Sequence, residues 1–138
     1  MDNLQHSIRH PEEFPIEINP LTKLASPATE NTDLQLVCHY TTAFATGSVI
    51  NIRIPSIQPS LSVTGKIHQC IDKHEGYELG ITFSSPDELM RIRMLEQICY
   101  IRRYRQHILN IEGRTLSEQD AALEWIHKYA ALFPTDNV

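Results

Sequence analysis

The stretch Tyr77-Glu78-Leu79-Gly80-Ile81-Thr82-Phe83-Ser84-Ser85-Pro86-Asp87-Glu88 contains the change of period on which the fold turns. Up to Phe83, the apolar residues Tyr77, Leu79, Ile81 and Phe83 recur at every second position, as in a strand with one buried face. At Ser85 the chain offers a helix start instead, with Ser85 as N-cap, Pro86 at N1 and Glu88 placed for a capping box. A sheet therefore ends, and a helix begins, within three residues.

Working upstream, the same alternation occurs three more times. Leu34, Leu36, Cys38 and Tyr40 share one face, against Gln35 and His39. Ile50, Ile52 and Ile54 alternate with Asn51 and Arg53, and Pro55 stops the strand. Leu61, Val63, Gly65, Ile67 and Ile71 alternate with Ser62, Thr64, Lys66 and His68. Turn signals lie at Thr46-Gly47-Ser48 and over residues 72–76. Phe14-Pro15-Ile16-Glu17-Ile18 suits a weaker first strand at an edge, where Pro15 is tolerated. Residues 19–33 read as a loop and residues 1–13 as a flexible arm. Strands with one wet face imply an antiparallel sheet folded round a shared interior, a small barrel.

Downstream, Met90, Met94, Ile98, Ile101, Tyr104, Ile108 and Ile111 follow at spacings of three and four, and Gly113 suits the stop. Such a helix is ~40 Å long at 1.5 Å per residue, longer than a small barrel. A second helix starts at Ser117, with Leu116 placed for a hydrophobic staple against Ala121. Its apolar side is Ala122, Trp125, Ile126, Tyr129, Ala130 and Phe133, and Pro134 ends it. The short link predicts two antiparallel helices in contact. The division is an arm over 1–13, a barrel over 14–85 and a helical extension over 86–133, one domain overall. The long stripe is expected to be buried against the barrel and the second helix, with enough left over to support a homo-oligomer.

Composition sets bounds. A chain of 138 residues, 41% hydrophobic and 21% charged, has the balance of a globular domain. There is no run of eighteen apolar residues, so no membrane insertion is expected, and residues 1–10 carry no apolar leader. A cytoplasmic location is the expectation. Cys38, Cys70 and Cys99 form no CxxC pair and sit among apolar neighbours, so they read as buried free thiols. Net charge is −5 and neither half of the chain is basic, which argues against duplex nucleic acid. Arg91, Arg93, Arg102, Arg103 and Arg105 do cluster on the long helix, as a solvated face or as a partner-binding stripe.

The residues supply no catalytic constellation. The seven histidines lack Cys or carboxylate neighbours at ligand spacing, so no metal and no cofactor is expected. There is no GxSxG elbow, no Gly-rich phosphate loop and no HExxH. The chain reads as a protein that is not an enzyme.

Several segments, in order, resemble the PilZ family. They are Ser7-Ile8-Arg9-His10-Pro11 with Phe14-Pro15-Ile16-Glu17-Ile18, then Ser62-Val63-Thr64-Gly65-Lys66-Ile67, then Tyr77-Glu78-Leu79-Gly80-Ile81-Thr82-Phe83. The tail, with Glu96-Gln97-Ile98, Tyr104-Arg105, Glu112-Gly113-Arg114-Thr115-Leu116-Ser117 and Glu124-Trp125-Ile126, looks like that of PilZ proteins with a helical extension. The resemblance implies a six-stranded antiparallel barrel with a long C-terminal helix and a shorter second one, mainly β with α. It further implies a bacterial receptor family for cyclic di-GMP.

Two motifs carry that family's ligand chemistry. An RxxxR arm supplies two guanidinium forks for phosphates and guanine edges, and a [D/N]xSxxG strand motif adds an acceptor, a hydroxyl and a glycine that admits the ligand. Carried onto this chain, the second Arg falls on Arg9, next to His10, and the first on Gln5, which has no fork. In the strand motif Asn31 is kept, Asp33 stands at the Ser position and Leu36 at the Gly position. Losing one charged donor costs ~1.5–3 kcal/mol, which takes a micromolar binder, at about −8 kcal/mol, towards millimolar. The favoured expectation is a degenerate regulatory module that acts through contacts with an unidentified protein partner. The alternative is a working cyclic di-GMP receptor using Arg9, His10 and Asn31.

Overall fold

The computed structural model describes residues 6–21, 31–131 and 133. Its elements are β1 (His6–Arg9), β2 (Glu17–Pro20), β3 (Asn31–Tyr40), β4 (Val49–Arg53), β5 (Ser62–Lys73), β6 (Gly76–Phe83), α1 (Pro86–Glu112) and α2 (Glu118–Tyr129). The six strands form one sheet in the order β1-β3-β6-β5-β4-β2. The architecture is mainly β with two helices, as expected; the closed antiparallel barrel is not. β1 lies parallel to β3, with Ile8 opposite Leu36 and Arg9 opposite Val37. It occupies the edge that closure onto β2 would need.

The sheet curls without joining its edges. A side chain spans the interior: Tyr40 Oη, on β3, accepts from the Ile18 N–H of β2 at 3.1 Å. Inside lie Ile8, Leu36, Cys38, Ile50, Ile52, Val63, Ile67, Leu79, Ile81 and Phe83, all essentially without solvent contact. The alternation thus reports the buried face faithfully, with one exception. β5 slips register between Ile67 and Gln69, so that Cys70 faces Leu79 across the ladder and Ile71 turns outward, 39% exposed. A single extra residue in a strand reverses which side every later residue takes.

Two segments differ from their expected reading. Residues 6–9 of the supposed arm are a strand, and Ile8 and His10 are buried. The first strand after it lies at Glu17–Pro20, displaced from Phe14-Pro15-Ile16-Glu17-Ile18, and β3 begins at Asn31, inside the expected loop.

The helix starts obey local chemistry. Ser85 Oγ accepts from Glu88 N–H at 3.1 Å, and Gly113 closes α1 at φ +69° with its N–H on Leu109 O. Glu88 does not complete a capping box; its carboxylate accepts from the Thr64 N–H of β5 at 3.0 Å and ties the helix start to the sheet. Ser117 caps α2 through Asp120 N–H.

α1 meets the sheet through Ile92, Leu95, Glu96 and Cys99, not through the expected stripe. Met90 and Met94 are 69% and 43% exposed, and only Tyr104 and Ile108 of that stripe are buried. The expected antiparallel packing of α2 on α1 is present. Trp125, Phe133 and Tyr100 form an edge-to-face cluster with ring centroids 5.1–6.4 Å apart. Among the described residues, no helix is long and apolar enough to cross a membrane.

Candidate functional site

β1 delivers two adjacent residues to opposite sides of the sheet. Arg9 points outward, with its side chain 57% exposed and its guanidinium 3.8 Å from the Glu78 carboxylate. His10 points inward and is 4% exposed. Its Nδ1 donates to Glu96 Oε2 at 2.7 Å and its Nε2 donates to the Phe14 carbonyl at 2.6 Å. Each ring nitrogen thus has an oxygen partner, an arrangement that favours the protonated ring.

Burial works against that charge, but the Glu96 hydrogen bond, the Glu96 charge and the Phe14 carbonyl outweigh it and hold His10 above its ordinary pKa of 6.5. Beside this pair the Arg9 carbonyl accepts from Tyr100 Oη–H at 2.6 Å. The first strand is therefore stitched to α1 at two successive residues. Glu96 Oε1 has no hydrogen-bond partner among the described residues.

Sequence reasoning passed over Glu96 and Tyr100. The signal for Glu96 was present: a lone carboxylate among Ile92, Leu95 and Cys99, at helical spacing, needs a buried cation.

Of the residues carried over from the nucleotide motif, Arg9, His10 and Leu36 are described with their side chains. Gln5 lies outside the described residues. Asn31 and Asp33 belong to β3, and their side chains also lie outside the description. In the parallel ladder Arg9 faces Val37, six positions from Asn31 and four from Asp33. The β3 ladder is irregular between Asn31 and Gln35: Val37 stands opposite Gly80 and Asn31 opposite Phe83, three residues along β6, about 10 Å from the position of Arg9. His10 is occupied by Glu96 and Phe14. Leu36, at the position of the motif's glycine, is 1% exposed and turned into the core, on the face opposite Arg9, so it does not obstruct an outer surface.

No family model, curated protein or solved structure matches the chain.

Other reactive groups are muted. Burial pushes the thiols of Cys38 and Cys99 up to about 12, so both stay protonated and inert. No group of three or more His, Cys, Asp or Glu suited to a metal occurs among the described residues. A groove of about 920 Å³ borders the C-terminal half of α1, with Phe14, Arg103 and Leu116 in its wall. Its aromatic floor is already used, since Tyr100 and Trp125 are 4% and 2% exposed and pack edge-to-face.

Several arginines of the helix brace it. Arg102 donates to Ser56 O at 2.9 Å, Arg103 lies 4.7 Å over the Tyr100 ring, and Arg105 donates to Leu116 O at 2.6 Å. Arg91 and Arg93, by contrast, are exposed beside the bare methionines.

Proposed function

We propose that this chain is a non-enzymatic regulatory protein of PilZ type, cytoplasmic, which acts through protein contacts with its nucleotide site degenerate. The observation that supports this reading best is the engagement of His10 with Glu96 and Phe14, which leaves Arg9 as the one outward cation of the motif. Two guanines and two phosphates ask for several convergent donors, and a single guanidinium near a carboxylate offers little to hold them. The barrel closure expected of the family forms no part of the proposal.

Calorimetric titration with cyclic di-GMP tests it. No saturable heat is expected at micromolar ligand, and binding at micromolar affinity or tighter overturns the reading. One feature favours the receptor alternative, namely that the Arg9 side chain is exposed on an edge strand. On that alternative Arg9→Ala abolishes binding while leaving the melting transition in place.

A further inference from the structure

The sheet is open, yet neither of its outermost strands presents a wholly bare backbone. In an antiparallel pair, successive residues turn their N–H and C=O groups to opposite sides. Leu21, just past β2, donates to Val49 O at 2.9 Å, so Leu21, Asn19 and Glu17 turn their backbone groups to β4. Ile18 and Pro20 turn theirs to the free edge. Pro20 has no N–H. The Ile18 N–H is taken by Tyr40 Oη at 3.1 Å, and the Tyr40 hydroxyl donates in turn to the Ile18 carbonyl at 3.4 Å.

The opposite edge ends in the same chemistry. His10 N–H donates to Val37 O at 2.9 Å, so Arg9, one residue earlier, turns its backbone outward. Its carbonyl accepts from Tyr100 Oη at 2.6 Å. At both edges a tyrosine hydroxyl thus stands where a further strand would pair, and unpaired edge groups are otherwise a template for another chain.

The two caps are held with unequal firmness. Tyr100 is buried and packs against the rings of Trp125 and Phe133. Tyr40 is half-buried at the end of β3, beyond the Leu34–Val37 stretch that β1 covers, and its ring lies 6.0 Å from that of Phe44. β2 has β4 as its single partner strand, so it can swing outward on β4 once Tyr40 lets go. Its edge is also self-complementary. About a two-fold axis at Ile18, that residue's N–H and carbonyl meet the carbonyl and N–H of the same residue in a second copy. Glu17 then faces Asn19 across the axis, and the Glu17 charge is already matched by Arg53 at 2.8 Å.

We propose that the Tyr40 hydroxyl is an autoinhibitory contact, which occupies the β2 edge and withholds it from antiparallel pairing with the β2 edge of a second copy. The Tyr100 hydroxyl does the same service at β1 from a fixed, buried seat. The device works whether or not a nucleotide binds, and titration with cyclic di-GMP does not probe it.

Hydrogen exchange and light scattering on the wild type and Tyr40→Phe test this. The variant keeps the ring beside Phe44 and loses the hydroxyl. In the wild type the Ile18 amide should be protected although its strand lies at an edge; rapid exchange there overturns the proposal whatever the variant does. In dilute Tyr40→Phe that amide should exchange about tenfold faster or more, and at rising concentration the chains should associate and the protection return. Asn19 is exposed, so Asn19→Glu should melt as the wild type does. Added to Tyr40→Phe, it sets like charges opposite each other across the axis and should restore the wild-type mass while Ile18 stays fast. Unchanged Ile18 exchange in Tyr40→Phe, a mass equal to the wild type's at every concentration, or association that Asn19→Glu leaves intact overturns the proposal.

Discussion

Replacing His10 by alanine removes one half of a buried ion pair and leaves the other half in place. The His10 and Glu96 side chains are 3% and 0% exposed and 2.7 Å apart, so neither charge has water to fall back on. Glu96 Oε1 has no partner among the described residues, so the remaining carboxylate would keep almost nothing. Breaking such a pair costs about 3–5 kcal/mol, a large part of the 5–15 kcal/mol that holds a typical domain together. Glu96→Gln is the control. Its amide keeps the shape and can donate to a neutral imidazole, which still donates to Phe14 O, so the cost should be about 1 kcal/mol.

The same pair makes stability depend on pH. His10 has a folded pKa above 6.5, so its contribution is complete below 6.5 and lost as pH rises through the folded value. Stability should fall as pH rises above 6.5, by at most about 1.4 kcal/mol per pH unit, and that fall should be absent from Glu96→Gln. Urea unfolding followed by fluorescence of Trp125, the single tryptophan and 2% exposed, measures both effects. A His10→Ala cost below about 1 kcal/mol, or a wild-type profile flat from pH 6.5 to 9, refutes the pair as a structural clasp.

Three other measurements probe separate parts of the fold. Iodoacetamide on the native protein should label Cys70 alone, one adduct by mass, because Cys38 and Cys99 are buried thiols held near 12. Gly65→Ala should cost about 1–3 kcal/mol by overpacking, since its Cβ would stand 2.7 Å from Ile81 Cγ2 and 3.1 Å from the Thr82 carbonyl; an unchanged urea midpoint would contradict that packing. Carboxyl NMR should place Glu124 at about 2, held down first by the Arg114 hydrogen bond and then by Tyr104, and Arg114→Ala should move it back upward.

Much of the fold was legible because its signals are local. Ser85, Pro86, Gly113 and Ser117 set the helix ends through contacts a few residues away, and strand faces follow from alternation. What escaped depends on distant partners. α1 carries apolar residues on two faces, Met90-Met94-Ile98-Ile101 and Ile92-Leu95-Cys99, and periodicity cannot choose between them. The choice is made by Glu96, whose cation lies 86 residues away in sequence. The bulge at Ile67/Gln69, which turns Ile71 outward, leaves no mark in composition. In β1, four residues are too few to display a period, so Ile8 read as part of an arm. In the candidate site, motif order pointed to His10 as a ligand group, whereas it turns inward to a carboxylate that no local pattern names.

The clasp between His10 and Glu96 has a bearing on the order in which the molecule is built. β1 precedes α1 in the chain, so His10 and the Arg9 carbonyl lack their partners Glu96 and Tyr100 until the middle of α1 has been synthesised. In the finished sheet β1 covers the margin of β3 that would otherwise be open to another extended chain. The helix that packs on the core thus also fastens the edge of the sheet, through two neighbouring residues.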